Sequence, residues 1–392
     1  KEWKENENRK PLIIRGARQV GKTWIMKTFG QQYFEKTAYV NFDNNARMKQ
    51  VFEGDLDIER LVLSISAETG VSIEAENTLI IFDEVQEVPK ALTSLKYFHE
   101  NAPQYAIVAA GSLLGVALHQ GTSFPVGKVD FLDLYPLNFR EFLCAMGEKQ
   151  FVSMLDSCDT QMVTVFKTKY IERLREYYFV GGMPEVVKDF SEKKDYNRVR
   201  VIQKNLINYY QQDFSKHAEI KLVPRLNLVW NSIPMQLAKE NKKYIYGQVR
   251  EGSRAKDFEL AIQWLLDCGL IHKVQRIQKP DLPLKAYIDF DAFKLFLVDI
   301  GLLIAMTDLD AKVIIEGNKI FTEFKGSLTE QYILQQLISD VGVIPYYYST
   351  QNSKGEIDFL VQGKTSVIPI EVKAEENLKA KSLKAFCEKY QP

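Results

Sequence analysis

The sequence predicts an α/β chain: a parallel sheet with helices at the N-terminus, a helical middle, and a second, smaller α/β unit at the C-terminus. Three observations predict it. Between residues 11 and 145, short apolar runs alternate with helical stretches, the pattern of a parallel sheet. Residues 16–23 read Gly-Ala-Arg-Gln-Val-Gly-Lys-Thr and sit between one such run and a helix. Near the C-terminus, two strand-like runs follow a helix and carry Glu356-Ile357-Asp358 and Glu371-Val372-Lys373.

Residues 1–10 are charged and read as a frayed or helical lead-in. Pro11-Leu12-Ile13-Ile14-Arg15 suits a buried parallel strand, and Trp24-Ile25-Met26-Lys27-Thr28-Phe29 can open a helix. The eight residues between them complete G-x-x-x-x-G-K-[ST] in the strand–loop–helix context that this motif requires. Gly16 and Gly21 let the backbone take angles that a side chain forbids. The loop's N–H groups, those of Gln19 and Val20 among them, can then curl around a phosphate chain, with the helix dipole adding positive potential. Lys22 supplies a point charge to β- and γ-phosphates, and the Thr23 hydroxyl suits Mg²⁺. These features predict a P-loop NTPase sheet.

Thr78-Leu79-Ile80-Ile81-Phe82-Asp83-Glu84 is an apolar strand that ends in two acids. In a P-loop enzyme, Asp83 holds Mg²⁺ through its water shell and Glu84 polarises the attacking water. No Asn-Lys-x-Asp run is present to read guanine, so the expected nucleotide is ATP. A third strand, Ala106–Ala110, leads to Gly111-Ser112. Ser112 is placed either to sense a γ-phosphate or to cap the segment after it, and one hydroxyl can do both. Ala38–Phe42 and Phe124–Leu134 are further strand candidates, and Asn138–Met146 reads as a short helix, which closes a first domain over 1–148.

Residues 149–235 change to helical spacing, as in Tyr170–Tyr177, with Gly181-Gly182-Met183-Pro184 as a helix-ending turn. Residues 236–310 read as a winged helix. Lys243–Arg250 is a helix or its approach, and Ser253 caps Arg254–Asp267, where Phe258, Ala261, Ile262 and Leu265 recur at helical spacing. Leu270–Ile277 and Lys285–Asp289 are the wing strands, with Lys279-Pro280-Asp281 in the wing loop. Lys242, Lys243, Arg250, Arg254 and Lys256 form a local basic cluster, suited to DNA phosphates or to a solvated protein-docking face.

Residues 311–392 form the last unit: a helix over Thr322–Ile338, strands over Val343–Ser349, Ile357–Gln362 and Thr365–Val372, then a helix from about Leu378. Period-two spacing puts Glu371 and Lys373 on one face of their strand, and a hairpin brings Asp358 opposite. Two carboxylates can bind Mg²⁺ while Lys373 orients the water that attacks a phosphodiester. Glu330, on the preceding helix, adds a further carboxylate. The competing reading is a charged face at a sheet edge.

Composition narrows the options. With 392 residues, 46% of them hydrophobic, the chain can build two or three separate cores. Lys+Arg and Asp+Glu are both 51, so any nucleic-acid surface must be local. Cys144, Cys158, Cys268 and Cys387 form no C-x-x-C pair and the four histidines are scattered, which disfavours zinc and suits a reducing cytoplasm. No apolar stretch is long enough to span a bilayer and no signal peptide is visible, so a cytoplasmic protein with no membrane partner is expected. The ends read as cuts in a longer protein.

The order of these parts resembles the prokaryotic AAA+-like, STAND-related ATPases, which carry a P-loop domain, a winged helix and a C-terminal restriction-endonuclease-like domain. The resemblance rests on Gly16–Thr23, Phe82-Asp83-Glu84-Val85-Gln86, Tyr135-Pro136-Leu137-Asn138-Phe139-Arg140-Glu141-Phe142, Gly181-Gly182-Met183-Pro184 and Ile370-Glu371-Val372-Lys373. It implies ATP and Mg²⁺ at Gly16, Gly21, Lys22, Thr23, Asp83 and Glu84. It also implies a metal-site trio of Asp358, Glu371 and Lys373, as in PD-(D/E)xK nucleases. Ile357 replaces the proline usual before the motif aspartate, and Lys128 follows Gly127 where similar proteins carry arginine. The expected function is an ATPase whose nucleotide cycle moves a winged helix and a nuclease-like domain on DNA. One alternative is a nucleotide-dependent switch for protein partners with a vestigial nuclease fold. Another is a ring ATPase, a homo-oligomer with an arginine finger in trans, for which Arg140, Arg173 and Arg175 are candidates.

Overall fold

The computed structural model describes residues 1–112, 125–239, 242–316, 322–350, 355–374 and 380–391. It divides into two compact units: residues 1–135 with 267–269, and the remainder from Pro136 onward. The first unit therefore ends before the expected boundary at 148. Residues 136–148 belong to the second unit because their backbone is bonded there: Leu137 N–H donates to Gly182 O at 2.7 Å.

In the first unit, β1 (Leu12–Arg15), β2 (Lys36–Asn41), β3 (Thr78–Asp83), β4 (Ala106–Ala110) and β5 (Asp130–Asp133) form a parallel sheet in the order β2-β3-β4-β1-β5. The expected strand over Phe124–Leu134 shortens to Asp130–Asp133, and Phe124 lies outside the described residues. Strand β3 is buried throughout, as its unbroken apolar run requires. Its alternate residues serve two cores. Ile80 and Phe82 pack with Leu61, Ile65, Leu95 and Phe98, while Leu79 and Ile81 pack with Met26. Phe42, Phe52 and Phe82 meet edge to face, with centroids 5.4–5.6 Å apart. Helices thus cover both faces, which leaves the strand ends as the open places for chemistry.

The second unit begins with Phe139–Ala145, a helix closed by a capping box between Asn138 and Glu141. Helices Lys167–Val180, Pro184–Lys193, Tyr196–His217 and Val223–Leu237 follow, as the helical spacing of 149–235 predicts. The helix Ala255–Asp267 starts one residue late, so Arg254 rather than Ser253 holds its N-cap position; Asp257 Oδ2 accepts the Arg254 N–H at 2.8 Å.

The strands after it differ from the expected wing. β6 (Ile271–Ile277) and β7 (Ile288–Leu297) pair antiparallel, but the sheet does not stop there. β8 (Tyr346–Ser349) pairs parallel to β6, and β9 (Glu356–Gln362) and β10 (Val367–Ile370) complete the order β10-β9-β8-β6-β7. Strands expected in two domains, on either side of residue 310, therefore form one sheet. The reason is visible in β7, whose last six residues, Ala292–Leu297, are all buried; a wing strand has no core to bury them in. The last helix is Lys381–Tyr390, and the expected start near Leu378 lies outside the described residues.

A buried polar node explains the two glycines at 181 and 182. Asp299 is inaccessible and accepts the N–H of Gly182 at 2.6 Å, that of Leu302 at 3.0 Å and the Gln335 amide at 3.3 Å. The same amide donates to Tyr177 Oη at 3.0 Å, whose hydroxyl donates to Leu137 O at 2.6 Å. Gly181 has φ +75°, and a Cβ there meets Asp299 Oδ1 at 2.2 Å; a Cβ on Gly182 meets Leu137 O at 2.1 Å. Gly182→Ala should destabilise the second unit by about 3 kcal/mol or more, since the Leu137 backbone cannot retreat without breaking its bonds. Gly326→Ala, in the helix Thr322–Ser339 with open space around it, should stabilise by about 0.5–1 kcal/mol. Chemical denaturation of both variants checks the contrast, and equal effects contradict the close-approach argument.

Candidate functional site

The loop after β1 is built by its backbone. Gly16 has φ +141° and lies so near Leu134 that a Cβ meets that carbonyl oxygen at 2.1 Å. Gln19 and Gly21 follow at φ +65° and +95°, which turns the chain back on itself before the helix Lys22–Tyr33. That helix has no side-chain cap, so its first N–H groups and its dipole remain for a ligand. Val20 is buried beneath the loop. Lys22 is buried too, and its ammonium folds back to donate to Gly16 O at 2.9 Å and Ala17 O at 2.7 Å. Burial pulls it down to about 8, against the pull of the Glu84 and Asp83 carboxylates.

The sheet order places β4 between β1 and β3, so three adjacent strand ends converge. Thr23 Oγ1 donates to Asp83 Oδ2 at 2.7 Å, and Tyr39 Oη donates to the same oxygen at 2.9 Å. Burial, then Asp83, pushes the Tyr39 phenol up, so it stays a donor. Glu84 turns into the left-handed region at φ 50°, which aims its side chain back across the strand ends. Its Oε2 accepts from Gln86 Nε2 at 2.7 Å and from Ser112 Oγ at 3.1 Å. Hydrogen bonds thus join Thr23 to Asp83 and Glu84 to Ser112. The segment Ser112 was expected to cap lies outside the described residues. Tyr39 and Gln86 had no assigned role. Gln86 lies two residues past the acid pair, a spacing that could have flagged it; Tyr39 is recognisable only from its place on the strand beside β3. The donor set fits Mg²⁺: two hard oxygens, from Thr23 and Asp83, at the start of an uncapped helix.

The second constellation gathers more residues than the sequence predicts. Strand β10 ends at Ile370, opposite Phe359, so Glu371 and Lys373 lie beyond the strand on which they were expected. What holds them beside β9 is the Val372 N–H, which donates to Asp358 Oδ2 at 2.7 Å. The Glu330 and Glu371 charges both bear on Asp358. Three lysines are woven through these acids. Lys294 Nζ lies 2.5 Å from Glu356 Oε1 and 3.6 Å from Glu330 Oε2; Lys242 pairs with Glu330 Oε1; Lys373 pairs with Glu371 Oε1 at 2.5 Å. Burial alone lowers Lys294, but Glu330 and Glu356 overturn this and hold it above the usual lysine value. Burial alone raises Glu330, but Lys294 and Lys242 hold it below the usual carboxylate value. Among the described residues, no group of three or more His, Cys, Asp and Glu is disposed to hold a metal ion. Lys294 and Lys242 were missed as members, although a lysine inside Phe293-Lys294-Leu295-Phe296-Leu297 is a signal in itself.

The candidate finger residues are all engaged within the second unit. Arg140 pairs with Asp156 and Asp340, Arg173 with Glu148 and Glu176, and Arg175 donates to Ile315 O. Of the basic cluster, Lys242 is drawn inward to Glu330, while Arg250, Arg254 and Lys256 are exposed.

Asp358 gives a pH signature. Burial, then the Glu330 charge, pushes it up to about 7. The folded chain then holds a proton that the unfolded chain releases from about pH 4. The resulting stabilisation is complete below about pH 4 and is lost as pH rises through about 7. Asp358→Asn should remove this slope, so the wild type's stability relative to the variant should fall between those values. Denaturation midpoints of both proteins across that range check it, and parallel profiles exclude a raised Asp358.

Residues 8–143 match the family model of an AAA domain. Residues 171–313 and 325–392 match two domains of unknown function, DUF8612 and DUF4143. No curated protein matches the chain. Among solved structures, the Walker-type ATPase of Pyrococcus abyssi shares 14% identity at a TM-score of 0.48, covering 78% of this chain and 95% of its own. Drosophila ORC bound to DNA shares 12% at 0.24, covering 79% and 90%. Cdc6p from Pyrobaculum aerophilum shares 11% at 0.25, covering 78% and 88%. These scores are too low to carry an argument about activity. The family match over residues 8–143, the five-stranded parallel sheet and the loop that follows its first strand agree on one conclusion: the first unit has the α/β fold of an AAA-like P-loop domain.

Proposed function

We propose that this chain binds ATP with Mg²⁺ at residues 16–23, hydrolyses it, and uses the nucleotide state to control what its second unit does, with DNA as the partner. The observation that carries the nucleotide reading is the meeting of Thr23 and Asp83 at 2.7 Å beside an uncapped helix start. In this reading Thr23 and Asp83 hold Mg²⁺, which neutralises phosphate charge when bound. Lys22 leaves two neutral carbonyls for the β- and γ-phosphates, a stronger partner for an ammonium. Glu84 takes the proton of the attacking water, and Ser112, bonded to Glu84, positions it and reports the γ-phosphate. The exposed Arg250, Arg254 and Lys256 supply a phosphate-binding face, and the five-stranded sheet that carries β9 and β10 is the nuclease-like part of this reading.

A second reading keeps the ATPase but makes the chain a switch for protein partners, with a nuclease-like fold that does not cut. Its support is the set of lysines already paired with the carboxylate cluster. ATP hydrolysis measured with and without duplex and single-stranded DNA separates the two. Stimulation by DNA, lost in Arg254→Ala and Lys256→Ala, favours the first, and indifference to DNA the second.

Two measurements test the nucleotide site. Lys22→Ala should abolish tight ATP binding, whereas Glu84→Gln should keep binding and slow hydrolysis by about 10²-fold or more. Unchanged affinity in the Lys22 variant refutes the assignment. Proton linkage gives an independent check. Because burial holds Lys22 at about 8 and a polyphosphate raises it, ATP binding should take up a proton above that pH. Calorimetry in two buffers of different ionisation enthalpy should detect the uptake above about pH 8 and lose it below about pH 7.

A further inference from the structure

We propose that Lys294 is the resident cation of the C-terminal carboxylate cluster, standing where a divalent ion would otherwise be needed, so that the cluster is complete without metal. Lys294 is 1% exposed and lies in the middle of β7, with apolar residues on both sides in sequence. A lone ammonium there is untenable, because taking it out of water costs several kcal/mol unless it is paired. Its partners come from two other elements: Glu330 from the helix Thr322–Ser339, and Glu356 from β9. The Tyr347 ring adds its face, 4.8 Å from the ammonium. Lys294 and Glu330 are both out of solvent, so water cannot replace that pairing.

The charge count agrees. Glu330, Glu356 and Glu371 face Lys242, Lys294 and Lys373, three carboxylates against three ammoniums. Asp358 sits among them with its Oδ2 accepting the Val372 N–H at 2.7 Å. A divalent ion would compete for carboxylates already paired with ammoniums and meet Lys294 head-on. Glu330 Oε2, although buried and without a hydrogen bond, already faces the Lys294 ammonium at 3.6 Å. The carboxylates are those a metal could use, yet among the described residues they are not disposed as a metal set. The lysine is the difference.

The test uses the full chain without nucleotide, with Asp83→Asn to silence the P-loop, and Mn²⁺ alone as the probe. The wild-type cluster should give no Mn²⁺-dependent rise in melting midpoint at millimolar ion. Lys294→Met keeps the length of the side chain and removes its charge. It should lower the midpoint by on the order of 10 °C, from the unpaired carboxylates it leaves, and Mn²⁺ should restore several degrees. Adding Glu330→Gln should recover the midpoint without metal and abolish the Mn²⁺ response. This double variant also covers the case in which Lys294→Met alone does not fold. Three outcomes overturn the proposal: a Mn²⁺ shift in the protein that keeps Lys294, removed by Glu330→Gln; an unchanged midpoint in Lys294→Met; or a double variant as unstable as the single one. The readout does not involve ATP, so failure here leaves the ATPase reading untouched, and the reverse holds.

Discussion

A single ammonium group buried on β7 organises the second unit. Lys294 ties its own strand to the helix Thr322–Ser339 through Glu330 and to β9 through Glu356. It can be buried only because those carboxylates arrive, and Glu330 can be buried only because Lys294 and Lys242 are there. The helix is held at the same strand by neutral bonds as well. Gln331 exchanges bonds with both backbone groups of Leu297, and Gln335 accepts the Ile300 N–H. One helix face thus reads Gln331 and Gln335 against the end of β7 and Glu330 against its middle. Register between helix and strand is fixed by polar groups that cannot be shifted by one residue without leaving a charge unpaired.

Much of the first unit is legible in the sequence because its signals are local. The phosphate loop is contiguous, β3 and β4 are unbroken apolar runs, and each strand end carries its own polar residue. Side chains that reach the site from a neighbouring strand are not local, which is why Tyr39 needs the sheet order to be seen. The second unit is misread where pairing is long-range. Leu270–Ile277 and the residues after it have the look of a two-stranded wing, and a hairpin is what a short sequence window can detect. The parallel pairing of β6 with β8, across some seventy residues of chain, leaves no mark in either segment. Only the apolar length of β7 hints that more sheet must cover it. The acids Glu330, Asp358 and Glu371 are found in advance because motif spacing survives without knowledge of the neighbours. The lysines that answer them are not.

Distinctive runs of sequence need not carry chemistry. Gly181-Gly182-Met183-Pro184 and the run Tyr135–Phe142 are as distinctive as the phosphate loop, yet what they do is pack. Leu137 and Gly182 exchange backbone contact at a distance that leaves no room for a Cβ, and Asp299 closes the node from below. Gly301 belongs to the same crossing, since a Cβ there meets Val180 O at 2.5 Å. Three chain segments cross where only glycine allows them to. A sequence reading that assigns every distinctive motif to catalysis misplaces this one.

The two lysines buried among the described residues show how partners, rather than burial, decide what a charge can do. Lys22 and Lys294 are both out of solvent, and desolvation pushes both toward the neutral form. Lys22 has peptide carbonyls at 2.7–2.9 Å and more distant carboxylates, and it is held at about 8. Lys294 has carboxylates in direct contact, and it is held above the usual lysine value. The first ammonium is under-satisfied, so an incoming phosphate improves its lot and binding can move it. The second is satisfied by groups that lose their own partner if it leaves, so it stays. Poise for a ligand at one lysine and indifference to added cations around the other follow from the same desolvation penalty, met by neutral acceptors in one place and by charged ones in the other.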